Sequence, residues 1–519
     1  MKSSLLAALL LNLMLVALAL PGFPHLPWLA LETLFLWGLF AFLSPGALQR
    51  GLAIGGGILY AVLATLALVD VLVRQSLGRP LNLYLELGIA DAAFHLLKTN
   101  LGELLAVAVL LVLLVGLVVL GTLFALLLQR LGRHTPPHGH RLLMPAAALL
   151  TLTAVAVPSP MGATGAALLG RQVTLAADTH DATRAFRQSV DAGFGSETRA
   201  LPGLAGTDVI LGFVESYGIS AISDPRYSRL IRPRLQEMES VLRDCGLHLV
   251  SGRLTSPVQG GQSWLAHTTL LSGRWVDSQL DYDILLSSRH TTLIDDMKLT
   301  GHETLAVMPA ITENWPEGRR FGYDRIYDAA TMGYQGPPFN WVTMPDQYTW
   351  SWFERALRAP ARRPLFAEMA LISSHAPWVP ILPVLPDWNE IGDGRVFETW
   401  RDEGEAPASL WRDPDRVRAH YGRALDYALE VITGYARRFV ADDTLLIIVG
   451  DHQPAPLITG DDASRDTVIH IISANPDLVT PFLEARLPGF QAGALPRLDV
   501  AGMPMDRFRR VFQQIFSGS

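Results

Sequence analysis

The sequence predicts a two-part fold: an N-terminal bundle of about five transmembrane helices, then a C-terminal α/β domain whose mostly parallel sheet is sandwiched by helices. Half of the 519 residues are hydrophobic, but Leu, Ala and Val dominate only up to about Pro158. Beyond that point, short apolar runs alternate with helical stretches, as in α/β domains. We therefore assign residues 1–158 to the membrane part, 159–205 to a linker and 206–519 to the α/β domain.

Five apolar runs make up the membrane part: 4–22, 28–45, 51–73, 101–128 and 142–158. Two are long enough to cross a bilayer, and the others are near the roughly 20 residues that a spanning helix needs. Further apolar runs follow the first at once, so we do not interpret it as a signal peptide. Lys and Arg in the short loops predict an inside N terminus and an outside α/β domain. The segment 80–100 is either an amphipathic surface helix or a plain loop.

Composition excludes several classes of protein. The net charge of −7 gives no basic surface for nucleic acid, so no nucleic-acid partner is expected. The single cysteine, Cys245, excludes an intrachain disulfide and is interpreted as a small buried hydrophobe. A transport protein is disfavoured because the apolar runs hold few ionisable residues.

Short apolar runs in the second part predict strands that are buried on both faces. These runs are Val209–Val214, Thr304–Val307, Leu365–Ile372, Leu445–Val449 and Val468–Ile472. In open α/β sheets, ligands bind at the carboxyl ends of the strands. The residues directly after each run are therefore the candidates for a site.

Three of these runs are followed by residues of the types that bind divalent cations. Glu215 follows the first run, His375 the third, and Asp451 with His452 the fourth. Each alone is more often a structural residue, but together they bring oxygen and nitrogen ligands to one edge of the sheet. Carboxylate and imidazole ligands suit Mn²⁺, Mg²⁺ or Zn²⁺, and the two carboxylates favour Mn²⁺ or Mg²⁺, with Zn²⁺ as the alternative.

A glycine-rich turn, Gly260-Gly261, leads into Ser263 and a helical stretch closed by Gly273. Ser263 is predicted at the N-cap, where free N–H groups and the helix dipole suit an anionic ester and a serine alkoxide. His267, one turn later, shares that helix face. From this segment alone, a plain helix cap remains the alternative.

These pieces together resemble the sulfatase-like branch of the alkaline phosphatase superfamily, which contains lipoteichoic acid synthases and other phosphoglycerol transferases. The resemblance covers nearly the whole chain, and a five-span anchor is typical of the lipoteichoic acid synthases. It is carried by Asp208–Ser216, Ser263 with Leu271-Ser272-Gly273, Ser374–Trp378, Gly450-Asp451-His452, Phe321–Asp328 and Tyr421–Tyr427.

The resemblance implies a role for each matching residue. Ser263 is the expected nucleophile and also a ligand of one divalent cation. The other expected ligands are Glu215, Asp451 and His452. His375 is expected to contact the phosphate or protonate the leaving alcohol. Substrate binding is expected from His267, His375, Trp315 and Arg319.

The implied function is transfer of a phosphoglycerol-like head group from a membrane phospholipid to an envelope glycan or lipid, through a covalent Ser263 intermediate. The implied location is the bacterial inner membrane, multi-pass, with the catalytic domain facing the periplasm. Four alternatives stay open: a phosphodiesterase or phosphatase, a sulfatase-like hydrolase, a phosphoethanolamine transferase, and a catalytically silent receptor or scaffold.

The sequence departs from its relatives in four places. Lipoteichoic acid synthases carry Thr where this chain has Ser263, which keeps the hydroxyl. They also carry a His ahead of the Trp315 region, whereas 307–310 holds none, so the head group is open. Leu265 and His267 replace the Pro and Arg that sulfatases need for formylglycine. Typical phosphoethanolamine transferases hold several disulfides, which one cysteine cannot form.

Overall fold

The computed structural model describes residues 2–19, 27–86, 98, 102–132, 161–193, 195–313 and 315–518. The chain divides into two compact units, residues 1–75 with 79–184 and residues 76–78 with 185–519. The division at 184/185 lies inside the segment predicted as a linker.

The first unit is helical. Its helices are α1 (Lys2–Ala17), α2 (Leu31–Phe42), α3 (Ala47–Leu77), α4 (Leu83–Glu86), α5 (Glu103–Gly132) and α6 (Thr164–Asp191), the last of which continues into the second unit. Two short strands, β1 (Leu29–Ala30) and β2 (Met161–Gly162), pair in parallel.

Two described helices, α3 and α5, are long and apolar enough to cross a membrane, with mean hydropathies of 2.2 and 3.2. The predicted count of about five spans is not found in the described ranges. Helices α1 and α2 are apolar but have only 16 and 12 residues, short of the roughly 20 required. Pro45 follows the end of α2, where proline disfavours continued helix. The predicted span 142–158 and most of segment 80–100 lie outside the described residues.

Helices α3 and α5 pack closely through two glycines. A Cβ at Gly57 would lie 2.4 Å from the Gly121 carbonyl oxygen, and a Cβ at Gly121 would lie 2.8 Å from the Gly57 oxygen. Next to this crossing, Tyr60 stacks on Phe124 with ring centroids 4.5 Å apart. Close approach through small residues is the usual packing of membrane helices.

The second unit is built on one mixed sheet. Its strands are β3 (Asp208–Val214), β4 (His248–Thr255), β5 (Glu303–Met308), β6 (Arg325–Asp328), β7 (Leu365–Leu371), β8 (Thr444–Gly450), β9 (Asp466–Ser473), β10 (Gln491–Ala492) and β11 (Met503–Pro504). Their order is β10-β4-β9-β8-β3-β7-β5-β6, with β11 beside β4. The run β8-β3-β7-β5-β6 is parallel, whereas β9 is antiparallel to both β8 and β4. The prediction of a mostly parallel sheet is confirmed.

Strand β4 is missing from the predicted set because polar residues interrupt its apolar pattern. Ser251 and Arg253 are nevertheless buried, since each meets a polar partner on β9. Ser251 Oγ lies 2.7 Å from His470 Nδ1, and Arg253 pairs with Asp466 at 2.5 Å. Burial of polar side chains is tolerated where their hydrogen bonds are made.

Helices of the second unit cover both faces of the sheet, as predicted. They are α7 (Ser220–Ser223), α8 (Pro225–Asp244), α9 (Ser263–Ser272), α10 (Gln279–Ser287), α11 (Leu293–Thr300), α12 (Pro316–Phe321), α13 (Asp346–Phe353), α14 (Pro407–Leu410), α15 (Pro414–Phe439), α16 (Pro456–Thr459), α17 (Thr480–Glu484) and α18 (Phe508–Phe516). Alternate residues of β3 enter two separate cores. Ile210 packs in the core that includes residues of α8 and α15, whereas Leu211 packs with α9 and α18. Cys245, interpreted from sequence as buried, is exposed just after α8.

His470 gives the second unit a specific pH dependence. Its Nδ1 contacts Ser251 Oγ, its Nε2 lies 3.0 Å from the Tyr217 hydroxyl oxygen, and burial lowers its pKa to about 3. In the unfolded chain the ordinary pKa is about 6.5. Because the folded pKa is the lower one, the unfolded state binds more protons below about pH 6.5, and stability falls as the pH drops toward 3.

We therefore expect acidification from pH 7 to pH 5 to cost this unit about 2 kcal/mol through His470 alone. His470→Gln, which cannot protonate, should show a smaller difference in Tm between the two pH values by tryptophan fluorescence. His248→Gln, at an exposed position on β4, is the matched control and should keep the wild-type difference. An unchanged pH dependence in His470→Gln would show that other groups cause it.

Candidate active site

The predicted site residues follow three strands that lie side by side. Strand β3 lies between β8 and β7 and is parallel to both. Backbone hydrogen bonds continue past the strand ends: the Glu215 N–H donates to Leu371 at 3.0 Å, and the Asp451 N–H donates to Val214 at 3.2 Å. The carboxyl ends of β3, β7 and β8 therefore meet at one edge.

Glu215, Asp451 and His452 converge at this edge, with one ligand atom from each lying within 4.8 Å of the others. His452 Nε2 is 3.5 Å from Glu215 Oε1 and 3.5 Å from Asp451 Oδ2. His452 Nδ1 lies 2.9 Å from the Gln453 carbonyl oxygen, so donation to that oxygen leaves Nε2 with its lone pair. Two carboxylates and an imidazole lone pair make a fitting donor set for a divalent cation.

The pKa shifts in the cluster also favour binding of a cation. Burial, reinforced by the charge of Glu215, raises the pKa of Asp451 to about 6. Burial opposes ionisation of Glu215 as well, but the charges of His452 and His375 hold its pKa below the ordinary value. Burial lowers the pKa of His452, and the charges of Asp451 and Glu215 more than reverse this and raise it. The two adjacent carboxylates, of which Asp451 is buried and Glu215 partly buried, therefore repel each other, and a bound cation would relieve this repulsion.

Ser263 lies against this cluster. Its Oγ is 3.3 Å from Glu215 Oε2 and 3.2 Å from His452 Nε2. The expectation that Ser263 is the N-cap is wrong: Gln262 holds that position with φ 65°, and Ser263 is the first residue of α9. The helix therefore begins one residue earlier than predicted, and the Ser263 hydroxyl faces the acidic cluster instead of capping the helix.

The loop before Ser263 is hydrogen-bonded to the loop that carries Asp451 and His452. Gly260, with φ 75°, donates its N–H to the Gln453 carbonyl oxygen at 2.8 Å. Gln259 and Gln453 also form a parallel bridge. Both links lie next to His452 in sequence, so they fix the distance between the serine and the cluster. A left-handed turn at Gly260 is readily adopted only by glycine.

His375 is held at the same edge by the loop after β7. Asp346 Oδ1 accepts the N–H groups of Ile372 at 2.7 Å and Ser373 at 3.0 Å. Ser374 Oγ donates to the Glu215 carbonyl oxygen at 2.6 Å. His375 Nδ1 lies 2.6 Å from the Ala376 carbonyl oxygen, which favours Nε2 as the nitrogen that meets a ligand.

A buried carboxylate missed by sequence reasoning holds His267. Glu368 Oε1 lies 2.7 Å from His267 Nδ1, and the Tyr323 hydroxyl donates to Glu368 Oε2. The His267 ring stacks on Phe213 at 3.7 Å. Glu368 is 2% exposed in the middle of β7. A carboxylate inside the apolar run Leu365–Ile372 was the available signal, because such a residue is rarely buried without partners.

A cavity of about 400 Å³ lies beside α9. It is lined by Trp264, His267, Thr268, Leu271, Gln279, Tyr282, Met308, Ala310, Ile311, Trp315, Glu317, Phe321, Tyr323 and Glu368. Two of the four predicted substrate-binding residues, His267 and Trp315, are among them. Arg319 is exposed on α12 and does not line this cavity, and His375 lies on the loop after β7.

Ser216 is the other hydroxyl at the edge of the sheet. Its Oγ donates to Glu215 Oε1 at 2.8 Å, and its N–H donates to Asp451 Oδ1 at 2.8 Å. These bonds make Ser216 a support for the two carboxylates.

The mixed sheet with helices on both faces defines an α/β domain. Its edge brings a serine hydroxyl beside two carboxylates and an imidazole, those of Ser263, Glu215, Asp451 and His452.

Comparisons with known proteins give likeness of structure only. No family model and no curated protein matches the sequence. The chain is similar to the integral membrane lipooligosaccharide phosphoethanolamine transferase A of Neisseria meningitidis, at 13% identity and TM-score 0.46, over 99% of this chain and 94% of that one. It is also similar to the lipoteichoic acid synthase LtaP of Listeria monocytogenes, at 14% identity and TM-score 0.38, over 55% and 71%. A third similar structure is a protein in the alkaline phosphatase superfamily from Vibrio parahaemolyticus, at 14% identity and TM-score 0.32, over 57% and 69%.

Proposed function

We propose that this protein is a membrane-anchored, metal-dependent enzyme that transfers the phosphoryl head group of a membrane phospholipid to an acceptor hydroxyl through a covalent Ser263 intermediate. One observation carries the proposal: Ser263 Oγ lies within 3.3 Å of both Glu215 and His452, which cluster with Asp451. A hydroxyl beside a site for a divalent cation is the arrangement that activates a serine nucleophile.

Glu215, Asp451 and His452 would hold the cation, with Ser263 as a further ligand. Mn²⁺ or Mg²⁺ suits two carboxylates and one imidazole, and Zn²⁺ is the alternative. When bound, the cation supplies positive charge that favours the serine alkoxide and balances the charge of the phosphate.

In the first step, Ser263 Oγ forms a bond to phosphorus while the bond between phosphorus and the diacylglycerol oxygen breaks. The Ser263 hydroxyl proton passes to water, and His375 gives a proton to the leaving alcohol. In the second step, the acceptor hydroxyl attacks phosphorus and returns a proton to His375. The Ser263–phosphorus bond breaks, and the serine oxygen regains a proton from water.

The long apolar helices α3 and α5 support a donor that resides in the membrane. We place the protein in the bacterial inner membrane, multi-pass, with the catalytic domain facing the periplasm, where an envelope glycan or lipid is the acceptor. The resemblance implies a phosphoglycerol-like head group. The side chains that line the cavity beside α9 offer a separate way to infer which head group binds.

The test is the fate of a phospholipid donor. Full-length protein in detergent with Mn²⁺ is mixed with phosphatidylglycerol or phosphatidylcholine labelled on phosphorus, with and without diglucosyl diacylglycerol as acceptor. We expect diacylglycerol release that EDTA abolishes, and label on the glycolipid when it is present. Release without any transfer would favour the hydrolase alternative. No release with either donor, whether Mn²⁺, Mg²⁺ or Zn²⁺ is supplied, would contradict the proposal and favour the phosphoethanolamine transferase or the silent receptor or scaffold.

A further inference from the structure

The cavity beside α9 has a continuous aromatic wall. The Phe321 ring centroid lies 6.2 Å from that of Tyr323, 6.3 Å from Tyr282 and 6.4 Å from Trp315. Trp264 is a fifth aromatic side chain in the lining, and its Nε1 donates to Gln279 at 3.0 Å. A space of about 400 Å³ with such walls suits a small group that binds aromatic faces.

The charged groups of this cavity are acidic. Among the described residues, its lining includes the carboxylates of Glu317 and Glu368 and no lysine or arginine. The histidine in the lining, His267, is paired with Glu368. Arg319 and Arg320, on the same helix as Glu317, are exposed outside the lining. The Glu317 carboxylate therefore gives the cavity a negative group that attracts a cation.

Most polar side chains in the lining are already engaged with one another. Glu368 is bonded to His267 and Tyr323. Thr268 Oγ1 donates to the Trp264 carbonyl oxygen at 2.6 Å, and Gln279 bonds Trp264 through Oε1 and Asp283 through Nε2. A glycerol group would find most of these side chains already bonded. A primary ammonium has three N–H donors, of which the Glu317 carboxylate would accept only some. Hydrogen bonds left unmade are costly in a desolvated site.

A quaternary ammonium group needs no hydrogen bond. It binds aromatic faces through the attraction between its charge and the ring quadrupole, and a nearby carboxylate adds to this. Ser263 is the first residue of α9, and Trp264 and His267 of the same helix line the cavity. The cavity therefore lies beside the helix that carries the proposed nucleophile.

We propose that this cavity binds the quaternary ammonium of a choline-type phosphate ester, so that the transferred head group is phosphocholine rather than phosphoglycerol. The inference rests on the proposed function for the place of the phosphate, and on the cavity walls for the head group.

The test is binding by full-length Ser263→Ala protein with Mn²⁺, measured calorimetrically with phosphocholine, phosphoethanolamine and sn-glycerol 1-phosphate. We expect phosphocholine to bind roughly tenfold more tightly than the other two. Glu317→Gln and Trp315→Leu, each added to Ser263→Ala, should reduce that preference and leave inorganic phosphate binding unchanged. The matched controls are Glu484→Gln and Trp275→Leu, which lie outside the cavity lining and should keep the preference for phosphocholine.

Equal or tighter binding of phosphoethanolamine or sn-glycerol 1-phosphate would overturn the inference, as would an unchanged preference in both cavity variants. Failure here is separable from failure of the proposed function. Diacylglycerol release by the wild-type protein without a choline preference would refute only the head-group inference. A choline preference without any release from phosphatidylcholine would refute only the transfer reaction.

Discussion

Ser263→Ala should lower turnover of the phospholipid donor by about 10³-fold or more, because the reacting oxygen is lost. The substitution should leave the fold nearly unchanged. Ser263 does not cap α9, and the contacts of its Oγ with Glu215 and His452 are long, at 3.3 Å and 3.2 Å, so the stability change should be about 1 kcal/mol or less. Diacylglycerol release measures the activity, and thermal unfolding checks the fold.

Two neighbouring substitutions serve as controls for Ser263→Ala. Ser263→Thr keeps a hydroxyl at the same place and should retain part of the turnover. Ser216→Ala removes the hydroxyl that donates to Glu215 without removing a nucleophile, so its effect should be far milder, about tenfold or less. Wild-type turnover by Ser263→Ala would refute the covalent mechanism even if the metal site proved correct.

Asp451→Asn should weaken Mn²⁺ binding by about 100-fold or more, because a ligand charge is removed where two carboxylates and one imidazole converge. Activity should fall in parallel. The fold should persist, since the asparagine Oδ1 can still accept the N–H groups of Ser216 and His452 that Asp451 accepts at 2.8 Å and 2.6 Å.

Equilibrium dialysis with metal analysis measures the Mn²⁺ affinity of Asp451→Asn. Asp461→Asn, an exposed carboxylate ten residues further on, is the matched control and should bind like wild type. If Asp451→Asn kept wild-type affinity, Asp451 would not be a ligand, and the three-residue cluster would need another explanation.

The centre of the sheet was predictable because strands buried on both faces are nearly all apolar. Strands β3, β7 and β8 are of this kind, and Glu215, His375 and the Asp451–His452 pair directly follow them. Strand β4 was not predictable in this way. Its buried Ser251 and Arg253 are compensated by partners on β9, and such pairing is visible only in three dimensions.

Near Ser263, the sequence predicted the residue but not its orientation. The helix begins at Ser263 rather than after it, because Gln262 adopts the left-handed backbone of the N-cap. A non-glycine residue with φ 65° is uncommon and has no reliable sequence signal. The pairing of Glu368 with His267 could not be derived from spacing either, because the two residues are 101 positions apart in the sequence.

The membrane part shows the limit of apolar run length as a criterion. Run 28–45 is apolar for 18 residues, but helix α2 spans only Leu31–Phe42 because Pro45 lies just beyond its end. Among the described residues, two helices, α3 and α5, are long and apolar enough to cross a membrane.

Direct detection of the intermediate tests the central claim most closely. The protein is mixed with Mn²⁺ and phosphatidylcholine without an acceptor, quenched in acid and cleaved with trypsin. Cleavage after Arg253 and Arg274 releases the peptide 254–274 that contains Ser263. Mass spectrometry should find a phosphoryl head group on Ser263 that disappears when a glycolipid acceptor is added before the quench. An unmodified peptide during active turnover, or an adduct on another residue, would contradict the account.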